Sequence, residues 1–112
     1  KYKGKKKSER DIIFKDSQLL EKAGVFSIVL ECVETSLAKQ VTQNIKIPTI
    51  GIGASKYCNG QILVFDDLIG LNPMNYRFVK KYANLKNEIS KAVSNYSKEV
   101  RKNKFPNKNN SY

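Results

Sequence analysis

The sequence lacks histidine altogether, and its 112 residues include only two cysteines, Cys32 and Cys58, with no CxxC pair. The missing histidine removes most zinc sites and every triad or general base built on an imidazole. Two cysteines are too few for a disulfide-dense secreted scaffold. No apolar run approaches the roughly 20 residues of a membrane span, so we expect no membrane partner.

Apolar residues make up 40% of the chain, enough for one small domain or part of a larger one. The sequence opens with Lys1-Tyr2-Lys3, without an initiator Met or a signal segment. We therefore interpret it as a piece of a longer polypeptide. Its compartment is left open between cytoplasm and mitochondrion.

The net charge of +11 lies entirely at the two ends of the chain. Residues 1–10 carry a net +5 and residues 77–112 a net +8, whereas residues 11–76 carry a net −2. We expect residues 1–7 and 103–112 to be basic, mobile ends. Basic tails attract phosphates without sequence preference, but we interpret these lysines as residues that keep the piece soluble. No zinc-finger, RNP-type or recognition-helix pattern is present, so nucleic acid is not favoured as a partner.

The first half of the sequence predicts alternating helices and buried strands. Ser8 begins a pattern typical of a capping box, and Gly24 marks the helix end. The apolar face predicted for this helix consists of Ile12, Leu19, Leu20 and Ala23. Residues 25–30 then form an apolar strand typical of a parallel sheet covered on both faces, with Glu31 directly after it.

A second unit repeats this order. Thr35 or Ser36 is predicted to cap a helix that residues 44–46 close, and residues 47–53 form the next buried strand. The apolar residues of that helix are Leu37, Ala38 and Val41. Two parallel strands alone leave two sheet edges and a face uncovered. We therefore expect the rest of the same chain, or another polypeptide, to complete the sheet.

The second half is less regular until its last helix. Residues 61–65 predict a short extended segment and residues 66–71 a short helix. A strong amphipathic stripe follows and is interpreted as core packing; it comprises Leu85, Ile89, Ala92, Val93, Tyr96 and Val100.

Four blocks together carry a resemblance to a known family: residues 28–33 (IVLECV), 47–54 (IPTIGIGA), 58–64 (CNGQILV) and 78–83 (FVKKYA). In this order and spacing they resemble the C-terminal part of the ketopantoate hydroxymethyltransferases. Lys1 and Gly4 fit the Lys-x-x-Gly that precedes the helix in that family. The resemblance covers nearly the whole chain.

The resemblance implies an α/β fold in which residues 1–112 are one partial domain. That domain would be the C-terminal portion of a (β/α)8 TIM barrel of the phosphoenolpyruvate-mutase type, with about the last two βα units plus C-terminal helices. Residues 25–30 would be strand seven and residues 49–52 strand eight. Glu31 would then lie at the C-terminal rim, where barrel enzymes keep their chemistry.

The resemblance further implies transfer of a one-carbon unit from 5,10-methylenetetrahydrofolate to 3-methyl-2-oxobutanoate, a step toward pantothenate. Glu31 would be the base that removes the C3 proton, and Leu30 and Val33 beside it would partly desolvate its carboxylate. The alternative for Glu31 is a strand-end acid paired with a lysine. Mg²⁺ would hold the keto acid, with its ligands on earlier strands absent from this chain, so no residue here is named a metal ligand. The fragment alone is expected to be inactive.

Several positions depart from the family pattern. Glu34 stands where the family has Pro, and Ser55 and Asn59 replace a Gly and an acid. Asp66 and Asn110 each replace a His. Asp66 and Asp67 form a carboxylate pair that we interpret as a solvated helix start. Cys32, without a histidine partner, is interpreted as a small buried residue rather than a nucleophile, and the role of Cys58 is open.

A competing hypothesis is a basic binding or assembly module. Its charged ends would contact an anionic partner, and its last helix would dock onto another subunit. The family resemblance also implies a homo-oligomer.

Overall fold

The computed structural model describes all 112 residues, which divide into two compact units. The first unit comprises Lys1–Leu63 and Tyr76–Val79, and the second comprises Val64–Asn75 and Lys80–Tyr112. The first unit contains the whole sheet and two helices. The second unit is helical.

The first helix, α1, spans Lys7–Lys22. Ser8 lies inside its first turn and its N-cap residue, Lys6, makes no side-chain cap, so the predicted capping box is wrong. The Glu9 carboxylate instead accepts a hydrogen bond from the Gly4 backbone N–H at 3.1 Å. Gly24, just past the end of the helix, has φ +93°, which confirms the predicted stop.

The face of α1 that packs on the core differs from the predicted one. Ile13 and Phe14 pack against the core and Ser17 is buried, whereas Ile12, Leu19 and Leu20 are exposed. Both sets recur at helical spacing, so periodicity alone did not distinguish the packed face from the free one.

Three parallel strands form one sheet in the order β1-β2-β3: β1 is Ile28–Glu31, β2 is Thr49–Ile52 and β3 is Gly60–Gln61. The register of the main pair sets Ile28 opposite Thr49 and Glu31 opposite Ile52. Strand β1 therefore starts three residues later than predicted, and Glu31 is its last residue rather than the residue after it. Strand β2 agrees with residues 49–52, and β3 lies at the start of the predicted extended segment.

Only one face of this sheet is covered within the chain. Ile28 and Leu30 are buried in the core, whereas Val29, on the opposite face, is 54% exposed. The prediction that both faces of the sheet are covered is therefore wrong for this chain. The uncovered face agrees with the expectation that a sheet of this kind needs further polypeptide.

Helix α2, Thr35–Asn44, joins β1 to β2 and supplies the centre of the core. Leu37, Ala38 and Val41 have no exposed surface, as predicted. The remaining buried members of the core come from the strands and loops: Ile28, Leu30, Val33, Ile45 and Cys58. Cys58 is therefore a core residue in the β2–β3 loop, and its thiol is free.

In the second unit, helix α3 spans Phe65–Leu68, helix α4 spans Leu85–Arg101, and a 3₁₀ turn spans Lys108–Asn110. Backbone hydrogen bonds from Leu85 to Ile69 and from Lys86 to Gly70 tie the start of α4 to the end of α3. The helix predicted from the apolar stripe is confirmed, but no residue of α4 is buried. The prediction that the apolar stripe of α4 packs in the core is wrong for this chain. None of the helices has both the length and the apolar character needed to cross a bilayer.

Candidate active site

Glu31 ends strand β1 at the carboxyl edge of the parallel sheet, the edge at which open and closed α/β sheets bind their ligands. Its parallel neighbour in the register is Ile52, the last residue of β2. Glu31 shares its face of the sheet with Val29, away from the helices. The structure gives it no salt bridge, so the alternative of a lysine-paired acid finds no support.

The surroundings of Glu31 differ from those expected. Leu30 and Val33 are buried in the core, and the Glu31 side chain is exposed to solvent. The two apolar neighbours therefore do not desolvate the carboxylate within this chain. Any water exclusion around Glu31 must come from polypeptide that lies over the open face of the sheet.

Next to Glu31, a cavity of about 820 Å³ opens beyond the carboxyl ends of β1 and β2. Two of its lining residues, Cys32 and Gly53, directly follow the last residues of these strands. The walls are formed by four short segments of the first unit and by Gln61 on β3. The segments are Lys1 and Tyr2; Cys32, Val33, Glu34 and Thr35; Gly53, Ala54, Ser55 and Lys56; and Tyr76, Arg77 and Phe78.

The charges on the cavity walls are unbalanced. Lys1, Lys56 and Arg77 line the cavity, and none of them has a carboxylate partner. The only acidic lining residue, Glu34, forms the single salt bridge of the structure, with Arg10 at 2.8 Å. The walls consequently present three free cations and favour an anionic ligand.

An aromatic segment closes one side of the cavity. The rings of Tyr76 and Phe78 stack with centroids 5.7 Å apart and planes inclined by 17°. Phe78 also packs directly on Gly53, because a Cβ at Gly53 would lie 2.8 Å from the Phe78 Cβ and Cγ atoms. Gly53 has φ +62°, a left-handed conformation that side chains rarely adopt. Glycine at this position therefore allows the left-handed backbone conformation and also leaves room for Phe78.

The loop after Glu31 is held by a network centred on Glu34. Its carboxylate is the N-cap of α2, accepting from the Leu37 N–H at 3.0 Å and the Ser36 hydroxyl at 2.6 Å. Glu34, rather than the predicted Thr35 or Ser36, is thus the cap. Hydrogen bonds from Ser36, with smaller contributions from Arg10 and the Leu37 N–H, lower the pKa of the Glu34 carboxyl from 4.5 to about 2.

The N-terminal segment ties into the same loop. The Lys3 N–H donates to the Cys32 carbonyl and the Glu34 N–H donates to the Lys3 carbonyl, both at 2.8 Å. Cys32 has φ +49°, an uncommon value for a residue with a side chain. It is only partly buried and lines the cavity, so its interpretation as a buried residue is wrong. The Thr35 hydroxyl links this loop to the next by donating to the Ala54 carbonyl at 3.1 Å.

Two further departures from the family pattern also have local structural roles. The Asn59 side-chain oxygen accepts from the Thr49 N–H at 2.9 Å at the start of β2. Ser55 is buried, and its hydroxyl oxygen accepts from the Tyr57 N–H. These side chains stabilise the β2–β3 loop in place of the glycine and the acid.

The acidic pair at α3 splits into two different environments. Asp66 is exposed, as predicted, but Asp67 is buried and accepts a hydrogen bond from the Asn72 amide at 2.7 Å. The prediction that Asp67 is solvated is therefore wrong. No three Asp, Glu or Cys side chains of the chain come together in a way that could hold a metal ion.

Sequence reasoning located Glu31 but missed the cavity. Its walls come from segments near residues 1, 33, 54 and 77, which only the fold brings together. The net charge of each segment does not show that Lys56 and Arg77, which lie in different segments of the sequence, meet at one cavity without acidic partners. The one local signal that could have found this wall was Phe78 in the family-like block at residues 78–83.

Comparison with known proteins identifies a family for nearly the whole chain. A family model described as ketopantoate hydroxymethyltransferase matches residues 1–108. This match includes Glu31 and every residue that lines the cavity.

Individual relatives agree with this match. A 3-methyl-2-oxobutanoate hydroxymethyltransferase from Pelagibacter ubique is 60% identical over all 112 residues, which cover 44% of that protein. One from Sulfolobus acidocaldarius is 50% identical over 103 residues, and 3-methyl-2-oxobutanoate hydroxymethyltransferase 2 of Zymomonas mobilis is 49% identical over 112 residues. The chain spans 38% and 41% of those two proteins, respectively, so it corresponds to less than half of each relative.

Proposed function

This chain belongs to the ketopantoate hydroxymethyltransferase family, and from that membership we propose a reaction for the complete protein that contains it. That protein transfers a one-carbon unit from 5,10-methylenetetrahydrofolate to 3-methyl-2-oxobutanoate, forming 2-dehydropantoate on the route to pantothenate. The observation that carries the proposal is the 60% identity over all 112 residues to a protein named for this reaction. The isolated chain is inactive, because it spans less than half of such a protein.

In this proposal Glu31 is the base. Its carboxylate takes the proton from C3 of the keto acid, next to the carbonyl, and the resulting enolate forms a bond to the folate-borne carbon. The bonds from that carbon to the folate nitrogens break, a water molecule supplies the hydroxyl group of the product, and tetrahydrofolate leaves. The position of Glu31 at the carboxyl edge of the sheet, beside an open cavity, supports this role. A carboxylate becomes a stronger base when water is excluded from it. That exclusion is assigned to the polypeptide that covers the open face of the sheet.

The same proposal completes the fold as a (β/α)8 barrel. Strands β1 and β2 become strands seven and eight, and the other strands belong to polypeptide outside this chain. The exposed Val29 and Glu31 side chains support this arrangement, because inward-facing barrel residues are covered only when the ring of strands is closed.

Mg²⁺ would orient the keto acid and stabilise its enolate, but the acidic residues of this chain do not form a site for it. Its ligands are assigned to the remainder of the protein. Within this chain, the residues that act are Glu31 and the loops that position it.

The experiment that tests the proposal is an assay of the complete protein for folate-dependent formation of 2-dehydropantoate, alongside complementation of cells that cannot make pantothenate. We expect turnover by the wild type and none by Glu31→Gln with an unchanged circular dichroism spectrum. Wild-type protein that neither forms the product nor complements the cells would refute the reaction. Near-normal turnover by Glu31→Gln would refute the role of Glu31.

A second candidate function is assembly with another subunit. It is favoured by α4, whose residues Ile89 and Val93 are 51% and 61% exposed on one face. An amphipathic face of this kind needs a partner to cover it. This role is compatible with the enzyme function, since subunits of an enzyme can associate through such a helix.

A further inference from the structure

We propose that the cavity beside Glu31 binds the carboxylate-bearing tail of the folate co-substrate, with Lys56 and Arg77 contacting its glutamate carboxylates. This inference rests on the proposed function, because that function supplies the folate. It adds the assignment of particular residues to one part of one substrate.

The charges of the cavity favour an anion with more than one carboxylate. Lys1, Lys56 and Arg77 line it without acidic partners, and Glu34 is already paired with Arg10. The keto acid has a single carboxylate, whereas the folate tail carries at least two. Two carboxylates can pair with Lys56 and Arg77 at the same time, whereas the single carboxylate of the keto acid cannot pair fully with both. Arginine forms paired hydrogen bonds to carboxylates, which suits Arg77 to the stronger contact.

The size and the aromatic wall of the cavity point to the same ligand. Its volume of about 820 Å³ falls in the range of pockets that hold drug-sized ligands. A small branched keto acid would leave most of that space filled with water. The stacked rings of Tyr76 and Phe78 offer a flat apolar surface on which the aromatic part of a folate can lie.

The position of the cavity fits a co-substrate that must reach Glu31. Cys32 and Gly53 directly follow the ends of β1 and β2, whereas Glu31 itself is not among the lining residues. The cavity therefore opens at the same ends of the strands as the proposed base, and its lining residue Cys32 directly follows Glu31 in the chain. The hydrogen bond from Thr35 to Ala54 joins the two loops at this point.

The test is steady-state kinetics on the complete enzyme with methylenetetrahydrofolate carrying either one glutamate or five. For Arg77→Gln and Lys56→Gln we expect the folate KM to rise about 10-fold, the usual effect of losing a charge-assisted hydrogen bond. The KM for the keto acid should stay unchanged. In the wild type the longer tail and low salt should each lower the folate KM, and both effects should shrink in the variants.

Lys15→Gln is the matched control, because Lys15 is exposed on α1, lies outside the cavity and loses the same charge. Arg77→Lys should restore part of the folate affinity, which a role in folding alone would not produce. An active wild type whose folate KM is unaltered by Lys56→Gln and Arg77→Gln would overturn the inference. Absence of product from the wild type with either folate would overturn the proposed function itself.

Discussion

At the scale of single residues, Glu34 shows how a departure from the family pattern can be structural. The family resemblance led us to expect Pro at this position, and here the Glu34 carboxylate caps α2 and binds Arg10 on α1. Both contacts hold the loop that follows Glu31. The sequence suggested Thr35 or Ser36 as the cap, because hydroxyl residues are common there and glutamate is not. Only the backbone geometry of the loop reveals that Glu34 reaches the Leu37 N–H.

The lowered pKa of Glu34 predicts a pH-dependent contribution to stability. Its pKa is about 2 in the folded chain against an ordinary 4.5, so the stabilisation is full above about pH 4.5 and is lost as the pH falls toward 2. We expect Glu34→Gln to lower the free energy of unfolding of the complete protein by about 1 kcal/mol near neutral pH. Urea unfolding across this pH range should show the difference from wild type shrinking in acid.

Asp16→Asn is the control for this measurement, because Asp16 is an exposed acid on α1 without an ion-pair partner. It should track the wild type at every pH. A difference between wild type and Glu34→Gln that stayed constant down to pH 2 would contradict the assigned pKa shift.

At the scale of elements, the accuracy of the sequence-based prediction depended on how many apolar faces an element has. Helix α2 has one, and its buried residues Leu37, Ala38 and Val41 were predicted correctly. Helix α1 has two, and the exposed one around Leu19 was chosen because its spacing is equally regular. Helix α4 was predicted correctly as a helix, but its apolar face was wrongly predicted to be buried. Periodicity identifies an apolar face and does not tell which polypeptide covers it.

The contact between Gly53 and Phe78 gives a prediction about how elements position the cavity wall. In Gly53→Ala the new Cβ would meet Phe78 and displace the aromatic segment, so we expect a loss of about 1–3 kcal/mol in stability and a higher folate KM. Unfolding in urea and the kinetic assay measure the two effects. Gly24→Ala is the matched control, because Gly24 also has a positive φ, +93°, but no atom lies within 4 Å of its added Cβ.

Gly24→Ala should therefore lower stability through backbone strain and leave the folate KM unchanged. Equal folate KM values for the two glycine variants would show that Phe78 does not depend on Gly53 for its position.

At the scale of the whole molecule, the chain leaves apolar surface uncovered and spans less than half of the relatives it matches. Its sheet is open on the face that carries Val29, and α1 and α4 each present an apolar face to solvent. The small number of strands predicted that part of the sheet would be uncovered. The sequence did not predict the cavity, because the walls meet only after the N-terminal segment and residues 76–78 fold onto the two strand ends.

The exposed face of α4 predicts the assembly state of the complete protein. We expect a homo-oligomer in which this face contacts a second copy. The double substitution Ile89→Ser and Val93→Ser should therefore shift the protein to a smaller species in light scattering after size exclusion. Ser90→Ala, on the polar side of the helix, is the control. An unchanged mass of the double variant would show that the face is covered within one subunit.

The proton abstraction that we propose for Glu31 can be tested without any folate. In D₂O, NMR follows the replacement of the C3 hydrogen of 3-methyl-2-oxobutanoate by deuterium in the presence of the complete enzyme. We expect exchange by the wild type and a rate at least about 100-fold lower for Glu31→Gln, the usual loss when a general base is removed. An exchange rate that the substitution leaves unchanged would contradict the assignment of this residue as the base.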